Sequence, residues 1–174
     1  ALDQTLRFGR VSGSSGEAVG EVADEHPIRD IAAALTSALQ VGAAQRGLDM
    51  TVAYSKERVQ FGRPIGSFQA LKHRMADMLV LLEASRSASW GATAAAPAYV
   101  SDRSEANASM LRRRAAVARS YCSDALDHVA SETVQLHGGI AITWEHDAQM
   151  VLKRAHALSH LWEPAHVARA RLLT

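Results

Sequence analysis

Residues 102–139 read DRSEANASMLRRRAAVARSYCSDALDHVASETVQLHGG, and within them Leu111, Ala115, Ala118, Cys122, Leu126 and Val129 recur at spacings of three and four. Side chains at that period return to one face of an α-helix, so the stretch predicts a single long amphipathic helix. Asp102 with Glu105 three residues on resembles a capping box at its start, and Gly138-Gly139 is a helix-stopping pair at its end. The same period continues on both sides. Upstream, Ser67 is a candidate N-cap for a helix with the stripe Leu71, Met75, Met78, Leu82, fading over Gly91 to Pro97. Before it, from Pro27, the pattern Ile31, Leu35, Ala38, Gly42 runs on through Leu48 and Val52 toward Glu57. Downstream, Thr143 is a candidate cap for a last helix carrying Val151, Ala155, Leu158 and Leu161, with Pro164 either interrupting it or starting a final turn. Three of these segments span about 25 to 30 residues, or ~40 Å at the helical rise. The economical architecture is an all-α, up-down four-helix bundle over residues 26–174. Alanine, at roughly a fifth of the chain, leads a composition of strong helix formers.

Residues 1–25 break the pattern. Leu6 to Val11 could be a strand and Ser12 to Gly16 a flexible turn, but a piece this short buries neither face of a sheet. It reads as the tail of a preceding β-domain and its linker. With 174 residues the chain is the size of one domain, and 19 cationic against 18 acidic side chains give a net charge of +1. No basic footprint for nucleic acid is present. Cys122 is the single cysteine, which rules out an intrachain disulfide framework or a thiolate metal cluster and fits a reducing, cytoplasmic compartment. No apolar run approaches the ~18 residues of a membrane span, so membrane insertion is not expected, and the start shows no signal-peptide pattern.

Two stretches hold more than a plain bundle needs. Arg58 to Gln69 reads RVQFGRPIGSFQ and places a guanidinium, two amides and a phenylalanine around one tight turn between helices. A guanidinium offers paired donors to phosphate oxygens, glycines let a ligand approach the backbone, and a helix start offers free N–H groups to an anion. The alternative is an ordinary helix connection with a surface arginine. Gln135 to His146 reads QLHGGIAITWEH, where the glycine pair is either a simple helix stop or a second point of close backbone approach.

Tyr54 to Met78 (YSKERVQFGRPIGSFQALKHRMADM) and, downstream, Gln135-Leu136-His137-Gly138-Gly139 resemble two motifs of the C-terminal domain of the flavin-dependent acyl-CoA dehydrogenases. The resemblance covers residues 26–174 and is strongest to the actinobacterial branch carrying Thr143-Trp144-Glu145-His146-Asp147. It implies an enzyme of fatty acid or lipid metabolism in which an N-terminal helical domain and a middle β-domain precede this bundle. By resemblance Arg58 reaches the FAD pyrophosphate, Gln60, Phe61 and Gln69 line the dinucleotide, and Gln135, Leu136, His137, Gly138 and Gly139 pack on the adenosine end of a FAD held mainly by a neighbouring subunit. It further implies a dimer or tetramer, an acyl-CoA substrate and electron-transfer flavoprotein as acceptor.

The family reaction needs a carboxylate against the substrate α-carbon. In one group that base follows the second motif in Tyr-Glu-Gly-Thr; here the text is Trp162-Glu163-Pro164-Ala165, making Glu163 the catalytic candidate. A gap-free count from Gln135 reaches Trp162 instead, and the alternative reading of Glu163 is a carboxylate favoured at a helix start. Other branches carry the base on the first bundle helix, where this chain has Ala38-Leu39-Gln40. A second reading follows: a non-catalytic chain in a heteromeric dehydrogenase, as in actinobacterial complexes acting on sterol side chains. His156 and His160 with Glu163 and His166 read as a polar helix face, with no metal expected. Arg112 to Arg114 read as a solvated run, and Cys122, Met75 and Met78 as core.

Overall fold

The computed structural model describes residues 3–6, 9, 12, 16 and 26–173. The expected strand from Leu6 to Val11 lies, apart from Leu6 and Gly9, outside the described residues. Helix α1 spans His26–Glu57, α2 Gln69–Ser101, α3 Glu105–His137, α4 Ala148–His160 and α5 Ala165–Ala170. Between α1 and α2 the chain makes a two-residue ladder, β1 Val59–Gln60 against β2 Arg63–Pro64, then a 3₁₀ turn over Ile65–Ser67. A second 3₁₀ turn over Gly138–Ile142 follows α3.

The contacts between α2 and α3 climb one helix as they descend the other: Arg74 meets Glu132, Ser85 meets Cys122 and Gly91 meets Arg114. That is antiparallel packing, as the three-residue connection demands. Helix α3 is the axis of the bundle, touching α1, α2, α4 and α5. Its whole expected stripe is buried, with Leu111, Ala115, Ala118 and Val129 fully inaccessible. On α2, Met78 and Leu82 are buried as expected, and on α4 Val151, Ala155 and Leu158 are too.

Helix α1 departs from its expected face. Its buried residues include Ala33, Ala34, Ser37, Gln40, Val41, Ala44 and Leu48, whereas Leu35 and Leu39 are about half exposed. Helices that approach closely accept Ala and Ser at the contact, and Ser37 completes the fit by donating or accepting at 2.9 Å with Ser89 of α2. The larger leucines are left outside.

Three caps also differ. Ser67 belongs to the 3₁₀ turn, its hydroxyl donating to the Pro64 carbonyl, and Phe68 precedes α2. Asp102 does not box with Glu105; its carboxylate instead accepts from the Ser104 N–H and from Asn107 Nδ2. Thr143 closes the second 3₁₀ turn, and α4 starts five residues later, after Asp147. Helix α2 does not fade at Gly91 but runs through Pro97 to Ser101, because a proline near the end of a helix forfeits one main-chain bond and no more. Among the described residues no helix is long and apolar enough to cross a membrane.

Candidate functional site

The two over-specified stretches meet at one end of the bundle, where α1 ends, α2 begins and α3 ends. The link is a ring stack: Tyr54 in the last turn of α1 lies 4.6 Å from His137, the last residue of α3, with an interplanar angle of 24°. His137 in turn touches His146 at 4.8 Å. Tyr54 also accepts the Arg58 N–H at 2.9 Å, so the stack joins the elbow to the glycine pair through one short path.

The elbow is rigid for local reasons. The Ile65 N–H donates to the Arg58 carbonyl at 2.8 Å across the ladder. Gly66 sits so close to α1 that a Cβ there would lie 2.9 Å from the Ser55 carbonyl oxygen. The tip turns through Phe61 and Gly62, both at positive φ (53° and 77°). A phenylalanine in that region costs backbone energy, about 1–3 kcal/mol, and such strain gathers at functional sites. Phe61 is 92% exposed, packed only edge-on against Phe68 at 6.2 Å, while the Arg63 guanidinium covers the Phe68 ring at 4.0 Å.

Each expected contact residue can now be placed. Arg58, Gln60, Phe61 and Gln69 are all exposed on the elbow; Gln60 donates to the Val59 carbonyl, and Gln69 pairs with His73 at 2.8 Å. In the second motif Gln135, Gly138 and Gly139 are exposed. Gly138 has φ 66° and ψ −147°, a conformation reserved for glycine, and no atom lies within 4 Å of a Cβ built on either glycine. Leu136 and His137 point the other way. Leu136 belongs to the apolar core, and His137 is 5% exposed with its Nδ1 2.7 Å from the Thr133 carbonyl. Burial pushes the His137 imidazole below its ordinary range and His146 acts in the same sense, against hydrogen bonding to the Thr133 and Met50 backbones. Any direct contact from Leu136 or His137 to an outside ligand is therefore through the main chain.

Glu163 sits elsewhere. Its carboxylate accepts from Arg171 at 2.8 Å, and Arg171 also binds the buried Asp30 of α1. This Asp30–Arg171–Glu163 bridge ties α1 to the C-terminal helix. Directly beneath, Arg119 of α3 is completely buried and donates to the carbonyls of Ser159, Leu161 and Glu163 and to the Ser123 hydroxyl. These are carbonyls at the C-terminal end of α4, where main-chain acceptors lack helical partners. The turn they form holds Trp162 at φ 69°. The Glu163 carboxylate is thus occupied in a bridge between helices, a structural engagement in this chain. Leu39 lines an open apolar groove of about 430 Å³ between α1 and α4, with Ala38, Gly42, Ala43, Met150 and Val151; the acidic side chain on its wall, Asp147, faces Arg46 at 3.4 Å.

Arg119 escaped sequence reading because an arginine beside an apolar stripe looks like a side chain reaching for water. Its offset of four residues from Ala115 and Ser123, both buried, was the available signal. His156 and His160 lie edge to face at 6.2 Å, and among the described residues no group of three or more His, Cys, Asp or Glu could hold a metal ion.

The profile of the acyl-CoA dehydrogenase C-terminal domain matches residues 30–161. Acyl-CoA dehydrogenase IpdE2 of Mycolicibacterium smegmatis is 48% identical over 171 residues, 98% of this chain and 50% of that protein. Among solved structures, butyryl-CoA dehydrogenase from Megasphaera elsdenii superposes with a TM-score of 0.73 at 26% identity, over 84% of this chain and 36% of that one. The ChsE4-ChsE5 complex from Mycobacterium tuberculosis superposes with a TM-score of 0.70 at 28% identity, over 84% and 37%. The chain thus spans about half the length of the IpdE2 relative. Fold, paired motifs and profile agree, and the chain belongs to the acyl-CoA dehydrogenase family, of which it carries the C-terminal helical domain.

Proposed function

We propose that this chain is the C-terminal part of a FAD-dependent acyl-CoA dehydrogenase and supplies flavin contacts and oligomer interface. The supporting observation is the convergence of the elbow and the glycine pair, joined by the Tyr54–His137 stack, at one end of the bundle. The residues present there suit a dinucleotide. Two exposed glycines with nothing within 4 Å of a Cβ leave main chain bare for close approach, and Arg58 offers fixed donors to a diphosphate. Gln60, Gln69 and Gln135 supply amides for ribose and base edges, and Phe61 an exposed ring for stacking. When bound, FAD supplies the two-electron acceptor for α,β-dehydrogenation of an acyl-CoA thioester. This chain's part is to bind and orient: the guanidinium neutralises phosphate charge, and Leu136 and His137 stiffen the wall from behind.

The test is flavin absorbance near 450 nm per chain in the full-length protein. Arg58→Ala combined with Gln135→Ala should strip it; unchanged flavin content rejects the site.

A second reading, that the chain works beside a related subunit which carries the base, is favoured by a specific observation. Glu163 is bound by Arg171, and the one carboxylate lining the groove at Leu39, Asp147, is paired with Arg46. A complex of two different chains, ChsE4-ChsE5, is among the structural relatives. Under it, the full-length protein alone is silent and co-expression with a neighbouring dehydrogenase-like chain restores turnover; full turnover by the isolated homo-oligomer rejects it. Electron-transfer flavoprotein is the expected acceptor and an acyl-CoA the expected substrate under both readings.

A further inference from the structure

His137 lies in the second motif, yet its side chain faces inward, and that changes what it does. It contacts three separate elements at once. Its ring stacks on Tyr54 of α1 at 4.6 Å, its Nδ1 meets the Thr133 carbonyl of its own helix at 2.7 Å, and its far side abuts His146 of the turn after the glycine pair at 4.8 Å. Tyr54 is the residue whose carbonyl receives the first N–H of the elbow. The His146 ring nitrogen in turn accepts the Ala148 N–H at 3.2 Å and so fixes the start of α4.

We infer that His137 is a positioning residue, the keystone that holds the elbow and the glycine-pair turn in register, and that the cradle is competent only while this imidazole is neutral. The inference rests on the flavin reading of that cradle. The physical reason is the surroundings of the ring. The titratable groups facing it are Tyr54 from α1 and His146 from the following turn, so among the described residues no carboxylate faces the ring to compensate an imidazolium. Burial accordingly holds its proton affinity below the ordinary histidine value, despite the backbone acceptors of Thr133 and Met50. The sign follows: an opened or unfolded cradle takes up a proton at about pH 6.5, the closed one only below that. Falling pH therefore favours the opened form. An acid-opened stack would release Tyr54, and with it the elbow.

The experiment is titration of the full-length apoprotein with FAD between pH 8 and pH 5.5, with thermal unfolding recorded at each pH. Wild type should lose affinity by roughly tenfold across that range, the ordinary size of coupling between neighbouring sites. His137→Leu cannot protonate, so its affinity should be weaker at pH 8 and flat with pH. His137→Gln, which keeps a donor for the Thr133 carbonyl, should recover much of the pH 8 affinity and stay flat. His146→Gln should retain the wild-type slope. A pH-independent wild type overturns the inference, as does a His137→Leu variant that keeps the wild-type slope. Failure of the flavin reading itself looks different: wild type would bind no FAD at pH 8, or Arg58→Ala with Gln135→Ala would bind it unchanged.

Discussion

Replacing Arg119 by methionine keeps an unbranched apolar stem of similar reach and removes the guanidinium. The carbonyls of Ser159 and Glu163 then lose their donors, at 3.0 Å and at 2.6 and 2.9 Å, while the Leu161 carbonyl keeps the Glu163 N–H at 3.0 Å. A buried acceptor left unpaired costs about 1–3 kcal/mol, so two of them cost about 2–6 kcal/mol. Ser159 and Glu163 are half-buried, which puts the expectation at the lower end, near 2 kcal/mol. An opposing effect exists, because a buried cation pays heavily for leaving water, and exchanging a buried ionic group for a packed apolar one can stabilise by about 1–4 kcal/mol. That gain arises when all members of the polar group are replaced together. Here the acceptors are main-chain carbonyls and stay behind, so the loss wins. At this size each kcal/mol shifts the melting temperature by about 2–4 °C, giving a fall of about 4–8 °C for Arg119→Met. Thermal unfolding by circular dichroism reads the shift, and hydrogen exchange locates it: amides of 161–171 should lose protection while α2 is unchanged. A variant as stable as wild type, or one whose exchange rises evenly over the bundle, refutes the account of Arg119 as the cap of α4.

Gly66→Ala forces a methyl to 2.9 Å from the Ser55 carbonyl, a main-chain atom that cannot step aside, and should cost about 1–3 kcal/mol. Gly139→Ala meets nothing within 4 Å, so it should leave the melting temperature unchanged yet reduce flavin retention in the full-length protein. Arg171→Met strips the guanidinium from Asp30, which is 2% exposed, and should cost about 3–5 kcal/mol, much of it recovered by adding Asp30→Asn; thermal unfolding of both variants is the measurement. The Cys122 thiol is 1% exposed and burial pushes it up to about 12, so a thiol reagent at pH 8 should label it only after denaturant is added.

Much of this molecule is legible in its amino-acid order. The stripe on α3, the stop at Gly138-Gly139 and the break at Phe61 to Gly66 follow from period and from glycine and proline chemistry, which act locally. The family motifs are equally local, being runs of specific residues. What the order left open are relations between elements. On α1 the apolar period pointed to Leu35, Ala38 and Gly42, yet the packed face is Ala33, Ser37 and Ala44, because the separation of two helices decides which side chain size fits. His137 sits in a contact motif, and only the stacking partner from α1, 83 residues away in sequence by the difference of 137 and 54, turns its ring inward. Glu163 and Arg119 are ordinary charged residues until the turn after α4 brings one carboxylate to Arg171 and three carbonyls to one guanidinium. Local order thus determined the helices, their stops and the family; long-range packing decided which face is core, which carboxylate is engaged and which histidine is a keystone, since burial and partner distance are properties of the assembled chain.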